Sequence, residues 1–154
     1  MLYEEQSLMT MRHRANEEFR RLHNQAVRSK LWSRLTRQSR TLLNLNEVQA
    51  NTTITARRHA GVQLVPVDQI LGSEGRCSDF DTEFRPLREQ SKERWVNIAV
   101  AQSREEMLPV VELVQLGGAY FVRDGHHRIS VAKTRGQREM EAEVTVWQNQ
   151  AANN

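Results

Sequence analysis

Apolar residues at Met11, Ala15, Phe19, Leu22 and Ala26 recur in steps of three and four, with neither proline nor glycine from about Met9 to Leu45. That spacing lines one face of a helix. A second run, Leu31, Leu35 and Leu42 with Trp32 and Leu43 beside it, falls out of phase near Ser29. The slip predicts two helices or one long bent helix. Asn44 to Ala60 is polar and reads as a linker, or as a short helix followed by a turn. After Gly61 the texture changes. Gln63–Val67 predicts a short strand, Gly72–Arg76 a loop, and Phe84 to Gln102 a helix carrying Leu87, Trp95, Ile98 and Ala99. Val110–Leu116, Gly117-Gly118 and Ala119–Arg123 form a hairpin signature, two β-rich runs around a two-residue turn. Asp124-Gly125 ends the second strand, His126 to Thr134 or Arg135 predicts a short helix stopped by Gly136, and Glu141–Trp147 a last strand with Ala142, Val144 and Val146 on one side. Gln148–Asn154 carries no core residue and reads as a disordered tail.

These elements predict an α/β (α+β) fold: a basic helical extension over residues 1–60, a domain over 61–147 and a tail over 148–154. A length of 154 residues suits one such domain with an extension. No stretch approaches the roughly 18 apolar residues of a membrane span, and the start lacks the order of a signal peptide, so a cytoplasmic protein with no membrane partner is expected. The single cysteine, Cys77, excludes an internal disulfide and a cysteine metal cage. Charge is uneven: the net +3 divides into +6 over residues 1–60 and −3 over residues 61–154. Nearly all of the positive charge is arginine, whose planar fork suits phosphate. The basic segment therefore has three readings, a helix docked on its own domain, a helix that pairs two subunits in a homodimer, and an arm for DNA or RNA.

One dense cluster carries chemistry, Asp124-Gly125-His126-His127-Arg128, at a strand-to-helix junction. A helix N-terminus presents unpaired N–H groups and partial positive charge, and a glycine before it admits a ligand close to the main chain. His126, His127 and Arg128 add side-chain donors, which makes a phosphate cradle without Walker A spacing. Asp124 has three open roles: general base, magnesium ligand, or N-cap of the helix. No metal centre is expected from Asp124, His126 and His127, because adjacent histidines rarely face one ion. A second cluster, Gly75 to Pro86, alternates Asp79, Asp81 and Glu83 with Arg76 and Arg85, and reads as a solvated loop or a helix cap. Cys77 within it has no activating histidine close in sequence and is expected to be inert.

Residues from about 63 to 147 resemble the ParB/sulfiredoxin-like superfamily, in particular the N-terminal domain of ParB partition proteins and their ParB-like nuclease relatives. The likeness rests on Val65–Ile70, the loop from Gly75-Arg76 to Phe80-Asp81, a helix, the hairpin Val111–Val122, the Asp124–Arg128 box and the strand after Gly136. It implies a nucleotide-binding protein whose box holds phosphates, with Gly125 opening and Arg128 closing it, and Arg76 in the first-loop position. ParB proteins use a Glu-Arg-Arg box for CTP; here His126 and His127 replace the middle pair. Sulfiredoxins have their catalytic cysteine where this chain has His126, so that activity is excluded. Relatives that phosphorylate free serine with ATP or ADP share Asp-Gly-His before the arginine, which implies Asp124 as base and Glu83 as a second acidic group, with Mg2+ on the phosphates. Two functions are thus expected as alternatives. One is a regulatory or nucleic-acid-associated nucleotide binder; the other is a small-molecule kinase or nucleotide hydrolase. No helix-turn-helix of the partition type is expected after Trp147.

Overall fold

With no proline or glycine to stop it, the first segment forms one helix rather than two, α1 (Leu2–Thr36), in the computed structural model, which describes residues 1–38 and 41–150. It ends at Arg37 in the left-handed region (φ 54°). The slip at Ser29 changes which face is apolar and leaves the helix unbroken. Ala15, Phe19, Leu22 and Ala26 are buried, whereas Val27, Leu31 and Leu35 are exposed.

The polar stretch after it is more ordered than its composition suggests. Leu43–Asn44 forms β1, and the Asn44 side chain caps α2 (Leu45–Ala50) by accepting from the Asn46 N–H at 3.0 Å. Strand β2 (Ile54–Pro66) starts well before Gln63 and runs through residue 60, so the expected boundary between extension and domain falls inside a strand. It pairs only with the last strand, and Val65 is its one fully buried position. An edge strand so exposed shows no alternation to read. A single 3-10 turn, Val67–Gln69, leads into β3 (Ile70–Ser73), which takes up Gly72 and Ser73 from the expected loop. Gly72 fits there because a Cβ would lie 2.5 Å from the Leu43 carbonyl oxygen and from the Phe121 ring.

The helix expected from Phe84 begins only at Lys92: α3 (Lys92–Ser103), preceded by a 3-10 turn at Glu89–Ser91. Phe84 sits at φ 55° and Pro86 disfavours helix in the residue before it. The hairpin is as expected, β4 (Val111–Leu116) and β5 (Ala119–Asp124) around Gly117 at φ 63°. So is α4 (His126–Thr134), stopped by Gly136 at φ 69°. Strand β6 (Glu139–Asn149) includes Gln148 and Asn149, which were expected in the tail, and Gln150 N–H donates to Thr53 O at 3.1 Å; residues 151–154 lie outside the described residues.

The six strands make one mixed sheet in the order β1-β3-β5-β4-β6-β2. On one face Val65, Ile70, Val111, Leu113, Tyr120, Val122, Ala142 and Val144 pack against Ile129 of α4 and against Phe80 and Phe84. On the other, Val114, Leu116, Phe121 and Trp147 pack against Leu45 of α2. Outside α4 lies α3, whose buried Trp95 donates from its indole N–H to Ser130 Oγ at 2.9 Å. The middle of α1 closes the stack over Trp95, Val96 and Ala99. Of the readings of the basic segment, docking on its own domain is therefore what residues 15–26 do. No helix among the described residues is long and apolar enough to cross a membrane.

Candidate functional site

Strands β3 and β5 are adjacent and parallel, so both deliver their C-terminal ends to one edge of the sheet. That edge is where open α/β sheets form ligand crevices. A cleft of about 540 Å³ opens there, walled by the loop after β3 (Glu74, Gly75, Arg76), by Arg94 and Ile98 of α3, and by Arg123 to Arg128.

The start of α4 is the floor. Its N-cap is Gly125 at φ 103°, and no side chain caps the helix. The first-turn N–H groups are thus left for whatever enters the cleft. A Cβ at Gly125 would lie 2.5 Å from Val111 Cγ1, so glycine is required twice, by conformation and by space. Asp124 therefore is not the cap. Its carboxylate is 66% exposed, lines the cleft and accepts from Arg128 Nη2 at 2.8 Å through one oxygen.

His126 is fixed by Ser73, a fully buried hydroxyl that accepts from the N–H groups of Gly75 (3.3 Å) and Arg76 (3.1 Å). With both acceptor sites engaged, its proton goes to His126 Nε2 at 2.7 Å, which leaves His126 neutral with its proton on Nδ1. Burial, then the charge of Arg76 and the neighbouring His127, holds the His126 pKa down to about 4. His127 is held to about 4 as well, by burial and then by Arg94 and Arg76. It is only 6% exposed, and its Nε2 is buried with no protein partner. Phe80 stacks on His126 at 5.9 Å and meets His127 edge-on at 5.3 Å.

The four arginines of the cleft differ. Arg123 pairs with both oxygens of Glu74 at 2.9 and 3.3 Å. The fork of Arg128 is occupied by protein: Nη1 donates to the carbonyls of Pro109 and Val110, and Nη2 to Asp124. It clamps the chain entering β4 to the first turn of α4. Arg76 and Arg94 are exposed and have no side-chain partner among the described residues. Their two charges are not neutralised by the two carboxylates, Glu74 and Asp124, which already face Arg123 and Arg128.

The structure thus brings together Asp124, Gly125, His126, His127, Arg128 and Arg76. It leaves Glu83 apart: that residue is exposed on the Asp81 loop and does not line the cleft. Asp81 is the organiser of that loop, accepting from the backbone N–H of Glu83 and Arg85 and from Arg85 Nε at 2.7 Å. Cys77 is half-buried, its thiol held by the carbonyls of Leu43 and Ser73 and pushed above its ordinary pKa chiefly by burial. Among the described residues no three His, Cys, Asp or Glu side chains converge to hold a metal.

Two residues of the site belong to no sequence motif, Ser73 and Arg94. Arg94 left a faint trace: the residues one turn away, Gln90, Ser91, Asn97 and Ile98, include no acid to pair with it. No protein-family model, curated protein or solved structure matches the chain.

Proposed function

We propose that the protein binds the phosphates of a nucleotide in this cleft, as a ParB/sulfiredoxin-like nucleotide-binding protein. The observation that carries the reading is the pair of uncommitted arginines, Arg76 and Arg94, facing an uncapped helix N-terminus across a glycine that admits close approach. Helix N–H groups and guanidinium forks together offer charge-assisted hydrogen bonds to the several oxygens of a phosphate. The buried, unpartnered Nε2 of His127 adds a further polar group at the same place. The phosphate contacts fall to Arg76, Arg94 and the first turn, while Arg128 holds the wall in position. Titration calorimetry with ATP, ADP, CTP and GTP, with and without Mg2+, tests this. Binding of at least one, weakened about tenfold by Arg76→Ala or Arg94→Ala, is expected. Absence of binding by all four overturns it.

A second reading, phosphoryl transfer or nucleotide hydrolysis, is favoured by one observation: Asp124 is released from capping and keeps an oxygen free in the cleft. A carboxylate there can take a proton from an attacking hydroxyl or hold Mg2+ on the phosphates. In that case Asp124→Asn lowers turnover by about 10²–10⁴-fold and leaves nucleotide affinity within threefold or so. Full turnover in the Asn variant removes Asp124 from the chemistry, and absence of turnover in the unsubstituted chain restricts the protein to binding.

A further inference from the structure

The two ends of α1 face the wrong way. Toward the protein body the helix shows Ala15, Phe19, Leu22 and Ala26, but one turn further on the same side carries Ser29 and Ser33, which line a crevice against Cys77 and Ser78. At about 100° per residue, Val27, Leu31 and Leu35 lie roughly opposite the docked face. They are exposed, Leu35 at 79%, with Trp32 beside them at 59%. At the other end Leu2 and Met9 fall on that same outer face and are exposed at 75% and 73%. Between these apolar ends the outer face is polar: His13, Asn16, Glu17, Arg20 and Asn24. A helix about 52 Å long therefore carries two apolar patches that its own domain cannot cover.

We infer that the outer face of α1 pairs with α1 of a second copy, antiparallel, in a two-fold dimer. Charge selects this occupant and this direction. Glu18 and Arg12 of the first half are held by Arg135 and Asn97 of the same domain, which leaves Glu4, Glu5 and Glu17 against Arg14; the second half has Arg20, Arg21, Arg28, Lys30 and Arg34 and no acid. Antiparallel pairing sets the acidic half on the basic half, whereas parallel pairing sets five cations on five. A two-fold axis between residues 18 and 19 places Leu2 against Leu35 of the partner subunit, Gln6 over the partner's Leu31, and Glu17 beside the partner's Arg20. One register thus covers both apolar patches and pairs the central charges, which is the self-complementarity an isologous interface requires.

The test uses the full chain. Sedimentation velocity at low ionic strength is expected to give twice the 17.9 kDa chain mass. Leu31→Asp combined with Leu35→Asp, both on the exposed face, is expected to give a monomer of unchanged circular dichroism and melting temperature. Glu17→Arg weakens the dimer by about tenfold, and adding Arg20→Glu restores it. In a Cys77→Ser background, Leu2→Cys and Leu35→Cys chains crosslink when mixed and not separately. A monomer at every concentration overturns the inference, as does a dimer indifferent to these substitutions or crosslinked like to like. A species whose mass comes from bound nucleic acid or vesicles, with one copy of the chain, overturns it equally.

Discussion

Two charged regions, the loop from Asp79 to Pro86 and the cleft that gathers Arg76, Arg94 and the Asp124–Arg128 box, are treated oppositely by folding. In the loop both aspartates find a cation or an amide. Asp81 holds Arg85 and two backbone N–H groups, and Asp79 holds Arg88 at 2.8 Å. Charge there is used up in shaping the chain. In the cleft, two of the charges are paired off and two, Arg76 and Arg94, are left over, one sign in excess beside an uncapped helix end. Charged residues that are saturated by their neighbours specify shape; those left in excess on a rigid frame specify a ligand.

That contrast can be broken at either end. The largest effect is expected from Asp81→Ala, which removes a buried carboxylate, strands the half-buried Arg85 and two amides and costs about 3 kcal/mol, read by urea denaturation. Next is Gly125→Ala, in which a left-handed backbone and the contact with Val111 together cost about 2–4 kcal/mol and tilt the first turn of α4, so that anion affinity falls with stability. Arg94→Ala is the opposite case, a loss of about tenfold in nucleotide affinity with stability within about 0.5 kcal/mol. Acidification acts on the frame of the cleft. His126 and His127 titrate near 4 in the folded protein against 6.5 when unfolded, so the unfolded chain takes up protons first. Stability present above pH 6.5 is lost as the pH falls toward about 4, and the melting temperature declines across that window, less steeply in His127→Phe. Smallest of all is Glu83→Gln, expected to change neither stability by more than about 0.5 kcal/mol nor nucleotide affinity.

The parts of this molecule that could be read from its sequence are those where burial imposes a period. The β4–β5 hairpin, α4 with its glycine stop, and the side of β6 bearing Ala142, Val144 and Val146 all announce themselves because one face meets the core. The first half of β2 does not, since Ile54 to Ala60 has a partner strand but no buried face. Phe84 and Leu87 mimic the start of a helix, although the burial of Phe84 and the half-burial of Leu87 come from a folded loop around Asp81. The box was visible because its members are consecutive. Ser73 and Arg94 were not, because the parallel β3–β5 pairing and the docking of α3 bring them to the box across long sequence separations.

Strand β2 leaves the sheet with a long open edge, and its irregularities have a consequence for solubility. Its register with β6 shifts at Ile54/Ala56 and again at His59/Gly61, where Gly61 sits at φ 74°. Between the shifts the edge carries Arg57 and Arg58, and Pro66 closes its far end without an N–H to offer. No long flat run of donors and acceptors is presented for another chain to copy, and like charges repel an identical edge. The opposite edge, β1, is two residues long. A polypeptide with a thirteen-residue border strand is in this way kept from templating fibres, even with Val62 and Leu64 bare on that border.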